Sequence, residues 1–155
     1  MTIPHHFPVI KARNLLGENV SLPSNFRGKR NVVMVAFNRN HQQFVDSWVP
    51  WLERESLADA ELAFYEIPAI SQLWSPMRPF IDGGMATAIK TPAILQRTMT
   101  IYGDLKRFTR RLGIVDRSTI SIFAVGVDGE IYWSGRGAFS ERAANELHTA
   151  LGQMK

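Results

Sequence analysis

The side chains best suited to chemistry follow directly on the most apolar stretch of the chain. Residues 32–37 are six apolar residues in a row, which predicts a strand buried on both faces of a sheet. A helix is predicted to begin near Asn40, because apolar residues then recur along one helical stripe, at Phe44, Val45, Trp48, Trp51 and Leu52. The turn between them carries amide, guanidinium and imidazole groups, on Asn38, Arg39, Asn40, His41 and Gln42.

Two interpretations of this turn are open. The first backbone N–H groups of a helix lack partners within it and attract anions, so with Arg39 and His41 they could hold a carboxylate or a phosphate. Residues 38–42 would then form a ligand or partner site. Alternatively, Asn38 and Asn40 cap the helix, as asparagine often does, and Arg39, His41 and Gln42 are solvated.

Other reactive groups are sparse. The chain contains no cysteine, so peroxidase, disulfide reductase and glutathione-transfer chemistry by a protein thiol are excluded. The four histidines lack the spacing of metal ligands. His41 and Asp46 lie on different sides of the predicted helix, which disfavours an acid–base pair. We therefore predict no catalytic residue, no metal site and no cofactor.

Length and composition are those of one globular domain. The chain has 155 residues, of which 45% are hydrophobic and 21% charged. A single α/β domain over residues 1–155 is expected, with residues 1–13 as a flexible N-terminal extension. No stretch approaches the roughly 18 apolar residues of a transmembrane segment. The compartment in which the protein works stays open.

The protein is basic, and part of its charge lies in one predicted helix. The formal net charge is +4, so an anionic partner is conceivable. Residues 104–112 carry four of the cations, Lys106, Arg107, Arg110 and Arg111. They form either a solvated helix face or a surface for a protein or phosphate-bearing partner. Nucleic acid is not expected, because the sequence has no RNP-like strand, zinc-finger spacing or long basic tail.

Periodicity and turn signals predict the element order ββαβαβαββα. The predicted strands cover residues 14–23 as an edge hairpin turning at Gly17, then 32–37, 61–67, 98–102, 119–127 and 130–134. The predicted helices run from residue 40 onward and over residues 71–90, 104–112 and 140–153. Asp128 and Gly129 form a favoured two-residue hairpin turn, and Gly113 ends the basic helix. This order predicts a mixed central sheet flanked by helices.

Short sequence blocks within residues 19–151 carry a family resemblance. They are Leu22-Pro23, Phe26-Arg27-Gly28-Lys29, Val35-Ala36-Phe37, Val45-Asp46-Ser47-Trp48, Tyr65-Glu66-Ile67, Trp74, Leu112-Gly113-Ile114, Asp128-Gly129-Glu130-Ile131-Tyr132-Trp133-Ser134-Gly135 and Gly137. These blocks and the element order resemble the thioredoxin-like superfamily, and within it the mitochondrial ATP synthase assembly-factor family. The resemblance implies a thioredoxin-like fold and a chaperone role for the membrane sector of that enzyme.

Two departures from the superfamily concern its redox site. The superfamily carries its thiols at the turn from strand into helix, where this chain has Gln42 and Val45. The position of its cis-proline corresponds to Ile120, for which we expect a trans bond, since a non-proline cis bond costs about 2.5–4 kcal/mol. The resemblance therefore implies the fold without its redox chemistry.

A segment rich in proline, methionine and aromatic residues is the best candidate for partner contact. It contains Trp74, Met77 and Phe80, and such residues suit an adaptable apolar surface. Trp48, by contrast, is expected inside. The favoured hypothesis is a non-catalytic binding module for a protein partner, such as a subunit of a membrane-associated complex. The alternative is a thiol-independent enzyme or a small-anion-binding protein that uses residues 38–42.

Overall fold

Strand β3 (Arg30–Ala36) is an inner strand of a four-stranded mixed sheet. It pairs in parallel with β4 (Leu62–Pro68) and antiparallel with β6 (Ser121–Gly126). Strand β7 (Ile131–Arg136) pairs antiparallel with β6 and completes the order β4-β3-β6-β7. All six residues from Asn31 to Ala36 are buried, which confirms the strand predicted from the apolar run. The computed structural model describes residues 5–69, 96–102 and 104–154, with Tyr102 by its backbone alone.

A second sheet contains the predicted N-terminal hairpin, whose first strand lies earlier in the chain than the predicted range 14–23. Strands β1 (Ile10–Asn14), β2 (Asn19–Leu22) and β5 (Met99–Tyr102) form an antiparallel sheet in the order β2-β1-β5. Gly17 has a φ of +84°, as the predicted turn requires. The hairpin does not add directly to the edge of the four-stranded sheet. It pairs with β5, whose neighbour Thr98 forms a single parallel bridge to Glu66 of β4.

Three described helices pack on the four-stranded sheet or begin at its ends. Helix α1 (Gln42–Ala58) follows a single 3-10 turn (Arg39–His41), α2 is Leu105–Arg111, and α3 is Glu141–Gln153. Asp104 and Ser140 cap α2 and α3 by accepting hydrogen bonds from backbone N–H groups. Within the part of the chain that the structure describes, no helix is both long and apolar enough to cross a membrane. The helix predicted over residues 71–90, with Trp74, Met77 and Phe80, lies outside the described residues.

Alternate residues of β3 belong to two separate hydrophobic cores. Val33 and Val35 face a core that includes Phe108 and Leu112, from α2 and the turn after it. Val32, Met34 and Ala36 face a second core, formed with α1 and α3. Its other buried members include Trp48, Leu52 and Leu147. Trp48 is fully buried, as expected, and its indole Nε1 donates to the Gly137 carbonyl at 3.0 Å. Helices therefore cover both faces of the sheet, as predicted.

The expectation of a flexible extension over residues 1–13 is wrong for residues 5–13. Phe7 is 0% exposed and packs edge-on against Phe26 and Phe108, with ring centroids 5.3 and 5.7 Å apart. Its backbone N–H donates to the Gly129 carbonyl at 2.8 Å, and β1 begins three residues later. Burial of this ring, together with the pairing of β1 with β2 and β5, orders the segment. This segment is therefore part of the core.

Phe7→Ala is expected to lower the free energy of unfolding by about 3–5 kcal/mol, because it leaves a cavity between Phe26 and Phe108. Val9→Ala, two residues away at an 84% exposed position, is the control and should change it by less than about 0.5 kcal/mol. Urea unfolding of both variants measures the difference. Equal effects would show that the N-terminal segment does not contribute to the core.

Candidate functional site

The turn that leads from β3 into α1 is not capped by asparagine side chains. Neither the 3-10 turn, which begins after Asn38, nor α1 has a side-chain capping hydrogen bond at its N-terminus. The Asn38 side-chain amide instead lies 3.2 Å from Nε2 of His41. The expectation that Asn38 and Asn40 cap the helix is therefore wrong, and the Asn38 side chain contacts the His41 ring instead.

His41 points into the protein and supports the turn. It is 2% exposed, and its Nδ1 accepts a hydrogen bond from the Phe37 backbone N–H at 3.0 Å. The ring also contacts Phe37 and Phe44, at centroid distances of 6.2 and 5.8 Å. The interpretation of His41 as a solvated residue is therefore wrong.

Arg39 and Asn40 are exposed at the same turn. Of the pair predicted to hold an anion, only Arg39 thus faces solvent, since both ring nitrogens of His41 contact groups of the turn itself. Anion binding at this turn stays a prediction, now resting on Arg39 and the neighbouring backbone N–H groups.

The two positions that correspond to the superfamily's thiols have different environments. Gln42 is exposed, and its Nε2 donates to Asp46 Oδ1 at 2.9 Å. Val45 is buried in the core between α1 and the sheet. Ile120 is also fully buried, and among the described residues the one cis peptide bond is Leu22–Pro23, so the bond before Ile120 is trans as expected.

A carboxyl group that sequence reasoning missed lies beside this turn. Glu66, half-buried on β4, accepts a hydrogen bond from the Gln42 side chain and interacts electrostatically with Asp46 and Arg97. The Arg97 guanidinium lies 4.1 Å above the centre of the Phe64 ring, in a cation–π contact. We call these four residues, Gln42, Asp46, Glu66 and Arg97, the Gln42 cluster.

Burial gives Glu66 unusual acid–base behaviour. Loss of solvation raises the pKa of its carboxyl to about 7, and the negative charge of Asp46 adds to this effect. The hydrogen bond from Gln42 and the positive charge of Arg97 oppose it. Burial lowers the pKa of Arg97, and the charges of Glu53 and Glu66 act in the opposite direction. Glu66 can therefore gain or lose a proton near neutral pH.

The chemistry available at the cluster is limited to proton transfer and polar recognition. Glu66 lies near the carboxyl ends of the parallel strands β3 and β4, where α/β proteins commonly bind ligands. Gln42, however, is not a nucleophile. In residues 5–69, 96–102 and 104–154, no group of three or more His, Asp or Glu side chains could hold a metal ion. The sequence signal for Glu66 was a single charge within an otherwise apolar strand.

A cavity of about 440 Å³ adjoins the cluster at the outer edge of β4. Its lining includes Arg27, Tyr65 and Arg97. The Tyr65 hydroxyl accepts from the Arg27 backbone N–H at 2.7 Å. The volume falls within the roughly 300–1,000 Å³ of small-molecule sites. The two guanidinium groups would favour an anion, and the Glu18 carboxylate on the same lining would oppose one.

Comparison with known proteins identifies the fold. No family model and no curated protein matches this chain. Solved structures do: the thioredoxin domain of a thiol-disulfide oxidoreductase from Bacteroides vulgatus has 17% identity and a TM-score of 0.62, covering 97% of this chain and 99% of that one. Yeast Sco1 with copper bound has 13% identity and a TM-score of 0.65, covering 97% and 94%. The exposed lipoprotein thioredoxin of Streptococcus pneumoniae strain TIGR4 has 11% identity and a TM-score of 0.60, covering 92% and 98%.

These structures confirm the predicted thioredoxin-like α/β fold and, at such identities, are evidence for the fold alone. None of the three is an ATP synthase assembly factor, so that narrower resemblance stays a prediction. This chain has the fold without any cysteine, so it cannot carry out redox chemistry through a protein thiol.

The pKa of Glu66 makes the stability of the protein depend on pH. The folded-state pKa, about 7, lies above the ordinary value of 4.5, so the unfolded chain loses this proton first as pH rises. Glu66 should therefore destabilise the fold progressively between about pH 4.5 and about pH 7, by up to about 3 kcal/mol, and have no such effect below that range. Glu66→Gln should flatten this slope and stabilise the protein above pH 7, as measured by urea unfolding across the range. Glu146→Gln, on the exposed side of α3, should leave the slope unchanged.

His41→Ala is expected to lower the free energy of unfolding by about 2–4 kcal/mol, because it leaves a cavity and an unpaired Phe37 N–H. Arg39→Ala, at an exposed position of the same turn, should change it by less than about 0.5 kcal/mol. Urea unfolding compares the two variants. A His41→Ala protein as stable as Arg39→Ala would contradict the supporting role of the imidazole.

Proposed function

Since the chain combines a thioredoxin-like fold with no cysteine, we propose that it is a non-catalytic binding module, and specifically an assembly factor or chaperone for a membrane-associated complex such as ATP synthase. The observation that carries the proposal is the bonding at the α1 turn. Where the superfamily has reactive thiols, Gln42 is bound to Asp46 and Val45 is part of the core. The turn is thus a rigid surface feature without a nucleophile.

The binding surface that we propose joins two parts of the chain. Arg39 and Asn40 are exposed, and the buried His41 supports the backbone of their turn by accepting a hydrogen bond from the Phe37 N–H. Trp74, Met77 and Phe80 supply the apolar contacts that aromatic and methionine side chains make at interfaces. The resemblance to ATP synthase assembly factors supports a membrane-complex subunit as the partner.

A second candidate function has its own supporting observation. Glu66, with a pKa of about 7, lies next to Arg97, which lines the cavity of about 440 Å³ at the edge of β4. A small-anion-binding protein, or an enzyme that moves a proton without a thiol, would use such a carboxyl and such a cavity. It would involve the Gln42 cluster together with residues 38–42.

Capture of the partner from the native host tests the binding role. Tagged wild-type protein, isolated after mild crosslinking, should enrich a specific membrane-complex subunit, and Trp74→Ala should lose it because the apolar contact is gone. Tyr132→Ala, which removes an exposed aromatic ring from β7, is the matched control and should retain the partner.

Recovery of the tagged protein in good yield with no enriched partner would contradict the binding role. Calorimetric titration with inorganic phosphate would then decide on the second candidate. Binding that is lost in Arg39→Ala would place the anion at the α1 turn, and binding that is lost in Arg97→Gln would place it in the cavity at β4.

A further inference from the structure

The basic helix α2 presents four cations that have no acidic partner among the described residues. Lys106, Arg107, Arg110 and Arg111 are all exposed, and none of them takes part in an ion pair within that part of the chain. The one acidic residue at the helix, Asp104, is engaged as the N-cap and accepts from the Arg107 backbone N–H at 3.0 Å. Arg30, Arg136 and Arg142, which lie on other elements, each pair with a carboxylate.

The spacing of these charges lowers the stability of the helix. Lys106 with Arg110 and Arg107 with Arg111 are like-charge pairs four residues apart, a spacing at which equal charges repel. Cations at the C-terminal end interact favourably with the helix dipole, which accounts for Arg110 and Arg111. The first turn contains no acidic residue, and Lys106 and Arg107 lie there at the positive end of the dipole. Folding alone therefore does not explain the placement of these two.

A groove lies beside this helix face. Its volume is about 240 Å³, and it runs between α2 and the segment before β1. Ile10 and Phe108 contribute apolar atoms, Arg107 and Arg111 contribute guanidinium groups, and Val9 at 84% exposure leaves an aliphatic side chain open to solvent. The Asp104 residue that caps α2 also lines the groove, so two guanidinium groups stand against one carboxylate there. The volume is below the roughly 300–1,000 Å³ of small-molecule sites, so the groove suits one or two side chains of a larger partner.

We propose that this groove binds an acidic segment of a protein partner, whose carboxylates pair with Arg107 and Arg111 and whose methylene groups pack on Val9. Guanidinium forks match carboxylates in geometry and pair with them bidentately. A membrane surface is a poorer fit, because helices that bind in the lipid interface use large aromatic and aliphatic residues, whereas this site is concave and exposes a single valine.

The proposal extends the binding role to a second surface. Helix α2 belongs to the core on one face of the four-stranded sheet, and α1 belongs to the core on the other. Because the two proposals name different residues, variants of the groove should leave Trp74-dependent capture unchanged, and Trp74→Ala should leave the binding of poly-L-glutamate at the groove unchanged. The two proposals can fail separately.

Binding of fluorescently labelled poly-L-glutamate, measured by anisotropy, tests the groove. Wild-type protein should bind, and Arg107→Gln with Arg111→Gln should weaken the affinity by roughly tenfold, as expected for the loss of two exposed charge pairs. Arg107→Lys with Arg111→Lys keeps the charge but not the fork, and should restore the affinity only in part. Arg54→Gln with Arg142→Gln, on exposed positions of α1 and α3, removes the same charge elsewhere and should bind like wild type.

Three results would overturn the proposal. If the Arg54 and Arg142 control loses as much affinity as the groove variant, the attraction is a property of net charge. If the lysine variant binds as well as wild type, the guanidinium geometry has no role. If wild type binds vesicles of phosphatidylserine and phosphatidylcholine but not poly-L-glutamate, the partner of the face is lipid. Circular dichroism of each variant, expected to match wild type at these exposed positions, excludes unfolding as the cause.

Discussion

Burial of β3 on both faces is the constraint on which the other elements depend. Because its side chains alternate between two cores, helices must cover the sheet on both sides, and the strand can end only by turning sharply into α1. Its beginning is fixed as firmly: the fully buried Asn31 side chain bonds both backbone groups of Gly28 and also the Val125 carbonyl. A Cβ at Gly28 would lie 2.6 Å from the Arg30 carbonyl oxygen, so glycine is required there.

At the other end of β3, the fold places a helix N-terminus at the surface without a side-chain cap. His41 supports the turn before it by accepting from the Phe37 N–H, and its ring contacts two phenylalanines. No buried side-chain nitrogen or oxygen atom in the described residues lacks a hydrogen-bond partner. A turn bonded in this way offers a fixed shape for recognition, whereas a reactive site would need a group left free to react.

Much of the fold could be predicted because its signals are local. The apolar run of β3 and the helical stripe of α1 each lie within a few residues of sequence, and the structure confirms both. The hairpin predicted at Asp128-Gly129 is also present, but its loop spans residues 127–129 and not two residues, because the Gly126 N–H donates to the Glu130 carbonyl and the pairing shifts register at Ala124 and Val125. The pairing of β1 with β5 joins residues about 90 positions apart, and no local pattern encodes it. The Gln42 cluster was missed for the same reason, since Gln42 and Glu66 meet only through the fold. The burial of His41 was missed because a polar residue in a polar turn resembles a solvated one.

The two proposed surfaces would contribute to binding through different forces. The cations on α2, which form no ion pair among the described residues, act over distances of about a Debye length, roughly 8–10 Å at physiological salt. They would therefore orient an acidic partner before contact and raise the association rate. Apolar contacts by Trp74, Met77 and Phe80 act only on contact, are insensitive to salt, and would govern the dissociation rate. The exposed carboxylate of the Gln42 cluster, Asp46, lies on α1, on the other side of the sheet from α2, and the Asp104 carboxylate beside the α2 cations is engaged as the N-cap of that helix. A partner that engages both surfaces would therefore associate more slowly at high salt but, once bound, dissociate at a rate that salt changes little.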